Sequence, residues 1–218
     1  DIPYIKKNNK LCESSWDEVL SKIVLEINKR NKEKTLALSG KFTDIETLYS
    51  AKKFLKSLNS NFFEWRYDNV QFKIDHRSSY LFNSSIQKID EADSILLIGC
   101  NPRWEASVLN ARIRKTYLNN DCKIALIGKK IKLNYEYKHL SDSVDYLNKI
   151  SSGESFFSEV LKNSKKPLII IGNSAINFTD GEDILDLCAH ITNKFNLNKE
   201  NWIAYNILQQ DISRVGAL

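Results

Sequence analysis

At 218 residues the chain is one large domain or two small lobes, and it can bury roughly 70% of the surface its unfolded form exposes, so a self-sufficient core is feasible. Its 32 basic and 27 acidic residues leave a charge of +5, carried by scattered Lys with no basic run interleaved with aromatics, which reads as solvated faces and not as a nucleic-acid groove. No apolar run approaches the roughly 18 to 20 residues of a membrane span, and Cys12, Cys100, Cys122 and Cys188 form no CxxC, so the chain alone has neither an iron–sulfur nor a zinc ligand pattern.

The four cysteines read as free buried thiols in a reducing compartment. Abundant Lys together with 22 Asn suggests an A+T-rich coding sequence, as in an organelle or a reduced bacterial genome. The chain begins at Asp1, contains no Met and lacks a basic-then-apolar leader, so a targeting segment or a longer upstream part is expected outside it.

Residues 1 to 14 predict an extended segment with a polar turn at Lys6 to Lys10. Ser15 and Glu18 have the spacing of a capping box, and Trp16, Val19, Leu20, Ile23, Val24 and Ile27 recur at helical spacing, an apolar face that reads as core. Thr35 to Leu38 predicts a strand ending at Ser39-Gly40. Thr43 with Glu46 predicts a second capping box, opening a helix lined by Ile45, Leu48, Tyr49, Leu55 and Leu58. One Gly between strand and helix is a turn before it is a phosphate site.

Residues 59 to 90 have no clean period beyond a strand-like Phe62 to Arg66, and the Asp75-His76 pair reads as surface. From Asp90 the pattern becomes regular. Ser94 to Ile98, Lys123 to Ile127 and Pro167 to Ile171 are near-continuous apolar strands suited to a parallel sheet covered on both faces. Helices are predicted over 104–118, 145–150, 156–161 and about 180–195, with a final one near Trp202 to Val215. Alternation of this kind predicts an α/β, doubly wound, mainly parallel sheet of Rossmann-like type.

The organising stretch is Glu91 to Asn119, where a strand meets Gly99-Cys100-Asn101-Pro102 and opens into a helix. Ligands of open α/β sheets sit outside the carboxyl ends of the strands, so a nucleotide would lie at Gly99 to Glu105. Each residue there also has a structural reason. Gly99 permits φ > 0, Pro102 presets φ at a helix start, and the Asn101 side chain can cap the helix. Arg103 at a helix N-terminus opposes the macrodipole and calls for an ion-pair partner, whereas Glu105 is favoured there. Arg112 and Arg114 suit bidentate docking contacts.

These residues, Ile98-Gly-Cys-Asn-Pro-Arg-Trp-Glu-Ala106 and Leu109-Asn-Ala-Arg-Ile-Arg-Lys115, resemble the large iron–sulfur subunit of respiratory complex I, the mitochondrial 75 kDa subunit and its bacterial counterpart. Ser15 to Leu20, Lys123 to Gly128, Tyr135 to Ser143, Phe157 to Lys162, Lys166 to Gly172, Asn206 to Leu208 and Val215 to Leu218 are similar to further blocks of that family, in family order.

The resemblance implies the molybdopterin-oxidoreductase-like part of that subunit, with a fold like formate dehydrogenases and DMSO or nitrate reductases. It implies a first lobe over residues 1–90, completed by sequence or chains not present, and a Rossmann-like domain over 91–218. The family's iron–sulfur clusters lie in an amino-terminal portion with Cys clusters, so no cofactor is expected in this chain. Either the subunit is split between two polypeptides or these residues are an excerpt.

Catalytic relatives hold molybdenum by a Cys, selenocysteine or Ser from the region matching residues 60 to 90. Here it contains no Cys, and Ser78, Ser79, Ser84 and Ser85 are plainer as turn or cap residues. Gly99, Asn101 and Pro102 then stand as vestiges of a pterin-nucleotide contact, and Gly128-Lys129-Lys130 lacks the acidic residue typical of working enzymes.

Three functions follow as expectations. The first is a non-catalytic structural module of NADH:ubiquinone oxidoreductase, whose partners are other peripheral-arm subunits, including the cluster-bearing part of the same subunit. It would sit on the matrix side of the mitochondrial inner membrane or the cytoplasmic face of a bacterial one. The others are a molybdopterin-dependent oxidoreductase fragment and a free nucleotide-binding domain, the latter weak because G-C-N-P is not G-x-G-x-x-G.

Overall fold

The computed structural model describes residues 1–65, 68–70 and 72–218. The chain divides into two units, residues 1–67 with Ala217 and residues 68–216 with Leu218.

In the first unit, β1 (Tyr4–Lys7) and β2 (Lys10–Glu13) pair antiparallel. Asn8 and Asn9 join them at φ of 50° and 64°, the left-handed pair that a two-residue hairpin needs and Asn tolerates. Ser15 caps α1 (Trp16–Lys29) by accepting the Glu18 N–H at 3.2 Å. The expected reciprocal bond does not form, because the Glu18 carboxylate is taken by the Ser14 hydroxyl and by Lys7 at 2.8 Å. The apolar face expected as core is not core: α1 buries none of its residues, and Trp16 is 57% exposed.

β3 (Ala37–Leu38) and β4 (Phe63–Glu64) pair parallel across α2 (Ile45–Ser57), a small βαβ unit. Asp44, not Thr43, caps α2, its carboxylate accepting the Thr47 N–H at 2.7 Å, while the Thr43 hydroxyl accepts from Gly40. Leu48 and Leu55 are buried, whereas Tyr49, expected on the same face, is exposed. The strand expected over 62–66 shortens to Phe63–Glu64, and Arg66 lies outside the described residues.

The second unit is built on a five-stranded sheet. β5 (Ser94–Ile98) is followed by a single turn, α3 (Pro102–Glu105), then α4 (Ser107–Asn120) and β6 (Lys123–Ile127). β7 (Lys138–Ser141), α5 (Tyr146–Ser152), α6 (Phe156–Asn163) and β8 (Pro167–Gly172) come next. The short α7 (Asn173–Ile176) and α8 (Gly181–Lys194) lead to β9 (Tyr205–Leu208) and a last turn, α9 (Arg214–Ala217).

The order is β7-β6-β5-β8-β9, all parallel. Every residue of β5 and β8 is buried, which is why these strands lack polar alternation. The helix expected near Trp202 to Val215 is mostly absent: its middle is β9, a short apolar run that gains more by extending the sheet beside β8 than by coiling. Trp202 itself anchors the sheet's lower edge, its indole N–H donating to the Pro167 carbonyl at 2.6 Å.

Residues 68–90 belong with this second unit, so the division falls after residue 67 and not at 90. Val70 and Ile89 enter the core. Asn83 donates to the Tyr205 carbonyl at 2.9 Å, and the Ser84 N–H donates to the Asn206 side chain at 2.7 Å. Asp68 meets the buried Arg214 at 2.8 Å, which also pairs with Asp211. Such fastening by single polar side chains leaves no periodic trace in sequence.

Burial this uneven has a kinetic signature. In native-state hydrogen exchange of the full chain, amides of β5 and β8 should exchange at least about a hundredfold more slowly than those of residues 16–29, since opening free energy follows buried contact. Equal protection of the two would contradict the exposure of α1.

Candidate functional site

The strand order reverses between β5 and β8, the place where α/β sheets of this type hold ligands beyond the strand ends. There β5 runs into Gly99-Cys100-Asn101 and β8 ends at Gly172, followed by Asn173 and Ser174.

Gly99 has φ +53°, as expected of a strand exit, and Gly128 at the end of β6 has φ +124°. The side of Gly99 without a Cβ is filled by α7: a Cβ there would stand 2.5 Å from the Cβ and backbone N of Ala175. A Cβ on Gly172 would meet the Cβ of Cys100 at 2.3 Å and the Gly99 carbonyl at 2.4 Å. The Ser174 hydroxyl donates to that same carbonyl. Two glycines thus let the ends of adjacent strands close on one another.

Pro102 takes the first helical position of α3 and is buried. Asn101 does not cap it with its side chain; its backbone carbonyl accepts from Trp104 at 3.0 Å and Glu105 at 2.9 Å instead. The Asn101 Oδ1, one Glu105 oxygen (Oε2) and both polar atoms of the Asn173 side chain are buried without a hydrogen-bond partner among the described residues. Asn173 itself is 5% exposed.

The four residues expected to dock partners fare differently. Arg103 donates to the Lys132 carbonyl at 3.1 Å, so a loop backbone and not a carboxylate answers its charge. Arg112 is engaged within the unit, meeting Asp90 at 3.0 Å, and Lys115 meets the same oxygen at 2.8 Å. These cations, the Lys115 hydrogen bond first, hold the Asp90 carboxyl below its usual range. Glu105 turns inward, and Arg114 stays exposed on α4.

A molybdenum centre needs a donor that can ionise and reach it, and the thiols of the second unit are buried. Cys100 is buried and its thiol is pushed up, chiefly by desolvation; Cys122 and Cys188 are pushed up to about 12 for the same reason. Ser84 is buried and donates to the Ile203 carbonyl, and Ser85 caps the turn over 86–91. Ser78 and Ser79 form a single 3₁₀ turn. Among the described residues, no three His, Cys, Asp or Glu cluster as metal ligands would.

Sequence reasoning found Gly99 and Pro102 and missed Gly172, Asn173 and Ala175. The signal was available in Gly172-Asn173-Ser174, a second Gly closing a second apolar strand.

A family model described as molybdopterin oxidoreductase matches residues 1–218. The NADH-quinone oxidoreductase subunit lettered G of Rickettsia bellii (strain RML369-C) is 37% identical over 218 residues, 99% of this chain and 32% of that protein. The protein of the same name from Rickettsia conorii (strain ATCC VR-613 / Malish 7) is 35% identical over 220 residues, 100% of this chain and 32% of that protein. The chain therefore spans about a third of the length of the curated relatives it matches. Among solved structures, the formyltransferase/hydrolase complex (FhcABCD) from Methylorubrum extorquens in complex with methylofuran is similar with a TM-score of 0.52 at 11% identity, over 86% of this chain and 57% of that one. That likeness concerns the fold alone.

Two measurements check the site. Gly172→Ala, whose Cβ meets backbone that cannot swing away, should lower stability by about 1–3 kcal/mol in urea melts. Asp90→Asn should cost up to about 1 kcal/mol at pH 7. Because the folded pKa is the lower one, that difference is present above the unfolded value of about 3.9 and disappears as pH falls through the folded pKa.

Proposed function

We propose that this chain, which belongs to the molybdopterin oxidoreductase family, serves as a non-catalytic structural module of respiratory complex I, supporting the iron–sulfur-bearing portion of the large peripheral-arm subunit during NADH-to-quinone electron transfer. The observation that carries the reading is the likeness of all its residues to one named subunit of NADH-quinone oxidoreductase, at 32% to 37% identity.

The geometry supports the non-catalytic half of the proposal. The switch point of a sheet that elsewhere holds a cofactor is packed here by Ala175 against Gly99, and burial pushes the neighbouring Cys100 thiol pKa up. In this reading the scaffold is formate dehydrogenase- or DMSO reductase-like, carries no cofactor of its own, and leaves the iron–sulfur clusters to the remainder of the subunit or a partner chain. Gly99, Asn101 and Pro102 are then retained because they shape a turn. Its partners are other peripheral-arm subunits, with Arg114 among the residues free to meet them.

No helix among the described residues is long and apolar enough to cross a membrane, which suits a peripheral position. In a mitochondrion that position would be the matrix side of the inner membrane. The cytoplasmic face of a bacterial membrane is the alternative, favoured by the bacterial origin of the relatives.

Native electrophoresis of gently solubilised membranes tests this. The chain should co-migrate with NADH dehydrogenase activity, and metal analysis of the purified protein should find no stoichiometric molybdenum. Migration alone at its own mass, or one molybdenum per chain, would overturn the proposal.

A further inference from the structure

The α1 helix is fourteen residues long, about 21 Å. Its apolar stripe is 46% exposed at Ile23 and more at Trp16, Leu20 and Val24. One side of the stripe, Val19, Ile23 and Ile27, lines a groove of about 1040 Å³ together with Ile5 of β1. The Lys7–Glu18 pair and the Ser14–Glu18 hydrogen bond tie the hairpin to the first turn of α1. An amphipathic helix that buries nothing has an apolar face still to be covered.

The rim of the groove has a sign. Lys6, Lys22, Arg30 and Lys34 line it against one carboxylate, Glu26. That carboxylate is already met by Lys29 at 3.2 Å and Arg30 at 3.8 Å. Among the described residues Lys6, Lys22 and Lys34 make no ion pair.

From this charge pattern we propose that the groove receives an amphipathic helix of a partner protein, with an aliphatic stripe flanked by Asp or Glu. The inference rests on the scaffolding role proposed above and gives the partner its chemistry. Apolar side chains on both helices supply ridges for packing, and the unpaired lysines select the acidic flank. A second copy of the chain would bring the same cations face to face, which opposes self-association through this surface.

The probe is a fluorescein-labelled synthetic helix of about five turns with Leu at i, i+3, i+4 and i+7 and Glu on both flanks. Its twin carries Lys for Glu. Anisotropy titration of the full 218-residue chain should show the Glu helix binding at least about tenfold tighter than the twin, a preference that fades as salt shortens the range of the charges. Ile23→Asp, at an exposed position, should weaken binding by about tenfold or more with circular dichroism unchanged. The doubly exposed variant Lys22→Glu, Lys34→Glu should reverse the preference, which keeps the test open should Ile23→Asp perturb folding.

Equal binding of the two helices, or no binding of either, would overturn the proposal. So would a concentration-dependent dimer lost on Ile23→Asp, or binding confined to anionic phosphatidylserine vesicles. Co-migration with complex I without any peptide preference removes this groove and leaves the module reading standing; preference without co-migration does the reverse.

Discussion

The second unit depends on the close approach of two strand ends. β5 and β8 are buried over their full length, so their backbones have no water to turn to and must run as neighbours to the last residue. They can do so because Gly172 and Gly99 have no Cβ to hold Cys100 and Ala175 away. Where sheets of this architecture often leave a crevice, this one places side chain and backbone in contact. The hydroxyl of Ser174 then satisfies the Gly99 carbonyl that the closure would otherwise strand.

That closure leaves polar debts of a particular kind. Asn101, Glu105 and Asn173 keep buried polar atoms without protein partners among the described residues, as do Asp90, Gln209 and Asp211 elsewhere in the same unit. Asn110, by comparison, takes the Tyr135 hydroxyl at 2.9 Å and reaches Asn134 at 3.2 Å. Buried groups without partners ask for water or for a ligand.

The sheet's interior was legible in sequence because full burial writes itself as uninterrupted apolar residues. β5, β6 and β8 were therefore visible as runs such as Leu168-Ile-Ile-Ile171. The edge strands were not. β7 carries Lys138 and Ser141, and β9 interrupts its run with Asn206, whose buried side chain accepts the Ser84 N–H and donates to the Ala204 carbonyl. The site was half legible: Gly99 and Pro102 announce a turn by themselves, but the role of Ala175 exists only once β8 lies beside β5. The face of α1 misled for the opposite reason, since a sequence states that a stripe is apolar and not which chain will cover it.

The Asp68–Arg214 pair sets the beginning and the end of the second unit 2.8 Å apart, with Arg214 almost entirely buried. A unit closed on itself in this way is topologically a ring with one gap. It could be circularly permuted by joining its ends through a short linker and opening the exposed Lys129-Lys130 turn, or carried as an insertion within a host loop, because neither operation would cut a strand of the central sheet.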